Sequence, residues 1–230
     1  MTGSMTVLTT AATFVGTHFV MSHPLRRPLV GGLGEKGFLG AYSLMAFATL
    51  GATVWAYRGA EVTALFWGVG DGLWAVSSVL MLIASIMLLG SLVGNPALAG
   101  AAASAATAEA RGVYAVTRHP MMWAFAIWGV SHILIYPVAK NIILSGAIIV
   151  LALIGAALQD RKKAALDPEG WPAWEGRTSY LPFAAIIAGR TKLGGFGMHA
   201  LGGGVVTWLA ATWAHMPLAG WPAGIWRWIG

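Results

Sequence analysis

The stretch IILSGAIIVLALIGAAL, residues 142–158, decides the fold. It carries no charge, and Lys140 on one side and Asp160-Arg161-Lys162-Lys163 on the other bracket it. A helix needs about 20 apolar residues to cross the hydrocarbon core of a bilayer, and this run comes close to that length. Five more runs of the same kind surround it: Met5–Ser22, Gly37–Tyr57, Trp74–Val93, His119-Pro120 to Tyr136-Pro137, and Met198–His215. Pro24, Asn95-Pro96 and Pro137 close runs, as residues that cannot continue a helix do. Pro120 falls in a first turn, where its missing N–H is of no consequence. The expected fold class is all-α: a polytopic membrane bundle of about six transmembrane helices, forming one domain over residues 1–230. Ala64–Gly70 is apolar but too short to span, so it reads as a surface-lying piece or an extension of the third helix. Ala97–Ala110, almost entirely Ala, Gly, Ser and Thr, reads as a short interfacial helix or a linker. The run Gly202-Gly203-Gly204 points to close helix approach, not to a phosphate-binding loop.

Composition supports this. The chain has 230 residues, of which 57% are hydrophobic and only 10% charged, against roughly 25% charged in a soluble domain. With no cysteine, disulfides, thiolate metal ligands and a cysteine nucleophile are excluded. The net charge of +6 does not point to nucleic acid, because the basic residues sit between apolar runs. It reads as topology and lipid-headgroup contact. With six spans, eleven of the 14 basic residues fall on one side: Arg26, Arg27, Lys36, Arg111, Arg118, Arg161, Lys162, Lys163, Arg177, Arg190 and Lys192. Arg58, Lys140 and Arg227 fall on the other. The positive-inside rule makes the basic side cytoplasmic, so both termini are expected on the outer side of the membrane. No Lys or Arg precedes Arg26, so the first run lacks the basic region of a cleavable signal peptide.

Ionisable side chains inside spans are costly and therefore suggest function. His18, His132 and His215 qualify, while His23, His119 and His199 lie nearer the cytoplasmic boundary. Neutral imidazole is the commonest metal ligand and suits haem iron. The same histidines could instead hydrogen-bond a neighbouring helix. His132 has Gly129, Trp128 and Phe125 on its own helical face, a small residue among aromatics with room for a flat apolar cofactor. His18 has Phe14, Val15 and Met21 around it. At the expected cytoplasmic interface, Arg118-His119-Pro120 could meet an anionic group, or simply supply a positive-inside charge and a helix start. Arg177, Arg190 and Arg26-Arg27, on the same side, could line an anion pocket or anchor in lipid. The carboxylates that can be placed fall in loops, which leaves ion-coupled transport without a relay.

Several blocks together resemble one family. They are Thr17-His18-Phe19-Val20-Met21-Ser22-His23 with Gly34-Glu35-Lys36-Gly37-Phe38, Gly112 to Pro120 continuing to Ser131-His132, Arg177-Thr178-Ser179-Tyr180-Leu181-Pro182-Phe183, and His215 with Pro217-Leu218. In this order, over nearly the whole chain, they resemble the NnrU family of bacterial membrane proteins, a group to which the zeta-carotene isomerases of plants and cyanobacteria belong. The resemblance implies haem b held by histidines, with His18 and His132 as the metal ligands. It also implies redox or cis–trans isomerase chemistry on a small or lipophilic substrate, and an association with nitrite and nitric oxide metabolism in denitrification. Arg118, His119 and Arg177 are the expected cofactor-binding residues on the cytoplasmic side. An alternative cysteine ligand of the isomerases falls on Gly129 here, so a cysteine-based ligand switch cannot operate.

A depth count complicates the ligand pair. His132 lies about 20 Å beyond His119 at the 1.5 Å rise of a helix, in the outer half of the bilayer, whereas His18 lies in the cytoplasmic half. By depth alone His132 matches His215, and His18 matches His23, His119 or His199. Two other expectations stay open. Arg-His-Pro also resembles the isoprenylcysteine and phospholipid methyltransferases, which use S-adenosylmethionine, although the glutamate pair of that pattern is replaced here by Gln159-Asp160. A non-catalytic accessory factor is the third.

Overall fold

A computed structural model describes residues 3–98 and 104–229. Among these residues the chain is all helical, with ten helices and no strand. They are α1 (Gly3–Ser22), α2 (Arg26–Gly59), α3 (Asp71–Gly90), α4 (Val113–Val116), α5 (Pro120–Ile135), α6 (Ala139–Leu166), α7 (Gly170–Arg177), α8 (Ala184–Ile187), α9 (Gly197–Ala219) and α10 (Trp226–Ile229).

Among the described residues, three helices are long and apolar enough to cross a membrane: α2, α3 and α6. The expectation of six spans is thus met only in part. α5 is apolar but has 16 residues, about 24 Å of helix, short of a hydrocarbon core of about 30 Å. α1 and α9, with 20 and 23 residues, have the length but are diluted by Thr, Gly and His. The three long helices bury little of themselves within the protein. On α2, Leu44, Phe47 and Trp55 are each more than 70% exposed. So large an exposed apolar surface is compatible with a lipid surround.

The chain divides into two compact units. The first comprises residues through Val69 together with His132–Leu151. In it α1 packs along α2, with Val7, Ala56 and Ala60 buried together against Tyr57 and Ile143. α2 is interrupted at Gly34, which takes φ 70° and ψ 170°. A side chain would disfavour that conformation, and glycine has none. The expected second span therefore begins just past a break, and Arg26 pairs with Glu35 across it while standing 5.5 Å over the Phe38 ring. At the other end of α2, buried Lys140 donates to the carbonyls of Tyr57 (3.3 Å) and Ala60 (2.8 Å), supplying donors and positive charge where a helix ends. Ala64–Gly70 does not extend α3; it is a non-helical segment, exposed over nearly all its length, as a surface-lying piece is. The Phe66 N–H donates to Pro137 O and Trp67 Nε1 to Leu134 O, which fastens the segment to the turn after α5.

The second unit comprises Gly70–Ser131 and Ala152–Gly230. α3 packs against α9, and the glycine run serves that contact. A Cβ on Gly204 would lie 2.7 Å from the Ile86 Cα, and one on Gly90 would lie 3.0 Å from the Ala200 Cβ. α6 runs on past Leu158, the expected end, to Leu166, so Asp160 and Lys163 are helical. The described residues of Ala97–Ala110 form no helix and are not a loose linker; residues 99–103 lie outside the described residues. The backbone carbonyls of this strap are taken one after another by Lys163 (Pro96), Gln159 (Ala97), Arg177 (Ala105, Ala106, Ala108) and Thr191 (Ala110). Such side-chain donors replace the backbone partners an irregular segment lacks.

Candidate functional site

In the second unit the strongest polar constellation forms where α4 gives way to α5. Thr117, fully buried, donates from Oγ1 to the carbonyls of Ser179 (3.1 Å) and Tyr180 (2.8 Å). The Arg118 N–H donates to Ser179 O at 2.8 Å. These bonds lay residues 117–118 along 179–180, so Arg118 and His119 project from a fixed backbone.

Arg118 donates through Nε and Nη2 to Asp160 Oδ2, at 2.9 and 2.6 Å, and its Nη2 also lies 3.1 Å from Glu175 Oε1. His119 Nε2 lies 2.7 Å from Asp160 Oδ1. His119 is 3% exposed and Asp160 8%. The Tyr180 ring stands 5.8 Å from the imidazole, with its hydroxyl donating to Leu153 O and its carbonyl accepting from Trp123 Nε1. Burial, and then the charge of Asp160, push the Tyr180 phenol above its ordinary range, so it stays a neutral donor. Breaking a buried ion pair on one side costs about 3–5 kcal/mol, because the remaining charge is left in a medium that cannot solvate it.

Asp160 overturns the expectation that the placeable carboxylates lie in loops. It sits on α6, buried, and it organises the Arg118–His119 pair. One signal could have found it: Asp160 and Arg118-His119 fall on the same expected side of the membrane, each next to the end of an apolar run. Arg118 is therefore already engaged by two carboxylates. The third residue expected to bind a cofactor, Arg177, gives its Nη2 to the strap carbonyls, and its buried Nε has no partner.

The histidine ligand candidates lie in the first unit. His18 is in the last turns of α1. Its Nδ1 lies 2.7 Å from Phe14 O, which can only accept, so Nδ1 carries the proton and Nε2 the lone pair. The Phe14 ring is 4.4 Å away and the Tyr42 ring 5.3 Å, both edge-on. His23 follows in the turn after α1, with Nδ1 2.8 Å from Ser22 Oγ and a buried Nε2 without a partner. His132 lies near the end of α5, where its carbonyl accepts from Asn141 Nδ2 at 2.9 Å; the same amide reaches Tyr136 O at 2.7 Å. Elsewhere, His215 Nδ1 faces Ala211 O and His199 Nε2 faces Leu89 O. Among the described residues no three His, Asp or Glu side chains gather as they would around a bare metal ion. Axial ligation of a haem asks less: one or two imidazoles in an apolar, aromatic setting. His18 fits that requirement, with a backbone acceptor fixing its ring and Nε2 left for iron.

A small all-helical protein with apolar helices of spanning length, a buried Arg–His–Asp cluster and histidines among aromatics is what these features define. Residues 6–223 match the family model described as NnrU protein, and the chain belongs to that family. It is 38% identical over 82 residues to the chloroplastic 15-cis-zeta-carotene isomerase of Zea mays, and 34% identical over 84 residues to that of Arabidopsis thaliana. Each match covers 36% of this chain and 22% of the relative, so the aligned part spans about a fifth of those proteins. No solved structure matches.

Proposed function

We propose that the chain is a haem b-binding integral membrane protein of the bacterial inner membrane, with both termini periplasmic, that carries out cis–trans isomerase or redox chemistry on a lipophilic substrate. The observation that carries this is His18: its Nδ1 bonded to Phe14 O, its Nε2 left as a ligating nitrogen, and Phe14 and Tyr42 edge-on around it. His18 would hold the iron, with His132 as the second ligand that the family resemblance implies. The haem, when bound, supplies a redox-active Lewis acid. The polypeptide supplies the fixed imidazole orientation of His18 and the edge-on rings of Phe14 and Tyr42 beside it. The partial likeness to enzymes named 15-cis-zeta-carotene isomerase supports a polyene as substrate. Nitrite and nitric oxide metabolism, in denitrification, is the setting that family membership suggests.

Within this proposal Arg118 and His119 act through Asp160 to anchor the start of α5. Arg118 has two carboxylates in place of an open anion site, so binding of S-adenosylmethionine gains no support from it.

The isomerase arm is tested by giving the purified, haem-loaded protein a 15-cis polyene, in reduced and in oxidised form, and separating the isomers by chromatography. Conversion to the 15-trans form in one redox state and not the other is the expected result. No conversion in either state contradicts isomerase activity.

A further inference from the structure

The strap and α7 enclose a shallow pocket of about 410 Å³ whose lining includes Arg177, Arg190, Thr191, Thr107 and Glu109. Two of the protein's arginines share it, and both are held in the same unusual way. Arg177 gives Nη2 to three strap carbonyls, and Arg190 gives Nη1 to the carbonyls of Glu175 (2.9 Å), Gly176 (3.0 Å) and Thr178 (2.7 Å). Carbonyl dipoles orient a guanidinium but do not neutralise it. Among the described residues neither has a carboxylate partner, whereas Arg26, Arg111, Arg118 and Arg227 each have at least one. Glu109, the acidic residue of the lining, pairs with Arg111. Arg177 also keeps a buried Nε with no acceptor.

Two oriented, uncompensated guanidiniums on one pocket match a tetrahedral oxyanion. Arg190, whose carbonyl bonds use only Nη1, can give two parallel N–H bonds from Nε and Nη2 to phosphate oxygens, and Arg177 can add its Nη1. The geometry points to a phosphate-binding site between the strap and α7, separate from the haem ligands and independent of the haem proposal. The phosphate belongs either to the headgroup of an anionic phospholipid or to free phosphate. By the distribution of basic residues this pocket is on the cytoplasmic side, where anionic headgroups meet basic residues.

The full chain in neutral detergent is titrated with short-chain phosphatidylglycerol, with short-chain phosphatidylcholine and with inorganic phosphate, and binding is followed calorimetrically. Saturable binding of phosphatidylglycerol alone assigns the site to a lipid headgroup; binding of inorganic phosphate as well assigns it to the free anion. Arg190→Gln weakens binding about tenfold and Arg190→Lys less, while Arg27→Gln, outside the pocket, leaves it unchanged. Should Arg190→Gln fail to fold, Glu109→Gln serves instead: removing the carboxylate from the lining tightens binding several-fold. Binding of neither phosphatidylglycerol nor phosphate by the wild type, or affinities unmoved by these pocket substitutions, overturns the assignment.

Discussion

Asp160 receives His119 Nε2 on one carboxylate oxygen, at 2.7 Å, across 41 positions of sequence, from the residue just before α5 to the last turns of α6. With its other oxygen on Arg118, this one buried carboxylate ties the beginning of α5 to the end of α6. The tie fixes the His119 ring and consumes the charge of Arg118, and it explains why the Arg-His-Pro element works as an anchor.

Loss of Asp160 should therefore be felt as stability. Asp160→Ala leaves a buried guanidinium with one carboxylate and an imidazole with none, at a cost of about 3–5 kcal/mol. Thermal unfolding in detergent measures it, and a melting temperature within a degree of wild type would mean that the cluster does not anchor α5.

The anchor was only partly legible in the sequence. Arg118, His119 and Pro120 stood out because they are adjacent and open an apolar run. Asp160 did not, because its partners are far away in the chain and it opens the charged run Asp160-Arg161-Lys162-Lys163, which reads as a solvated end. The helical class and the apolar runs were legible from hydropathy, since the bilayer imposes a length. The span count was less so: Thr, Gly and His in α1 and α9 lower their apolarity, and α5 is shortened between Pro120 and Pro137. The strap was hidden for a third reason. A run of Ala, Gly, Ser and Thr carries no periodicity, and the carbonyls of its described residues are held by donors on Gln159, Arg177 and Thr191, with Lys163 on Pro96 just before it.

The α3–α9 contact depends on the absence of a side chain at one point. Gly204→Val places atoms against the Ile86 backbone and should destabilise by about 1–3 kcal/mol or more, as overpacking does. Gly202→Ala meets only the flexible Met198 side chain and should be nearly neutral. Equal melting temperatures for the two variants would contradict the close approach.

Lys140 closes the end of α2. Lys140→Met keeps most of the stem and removes the donors to Tyr57 O and Ala60 O, leaving buried carbonyls unpaired at about 1–3 kcal/mol. The loss should be local. Hydrogen exchange should quicken in the last turn of α2 and in α1 beside it, with α3 and α9 unaffected; uniform exchange would count against a capping role.

His18 and His215 both bond Nδ1 to a carbonyl four residues back, yet only His18 is proposed to hold iron. His215→Ala should leave haem content at wild-type level, and His18→Ala should reduce it by more than half in a pyridine haemochrome assay. The reverse pattern would move the ligand to α9.

The haem proposal meets its most direct test in the absorption spectrum of the protein purified after expression with ample haem. A Soret band is expected in the wild type, shifted or lost in both His18→Ala and His132→Ala. A wild-type protein with no Soret band, or a band that neither substitution changes, would contradict it.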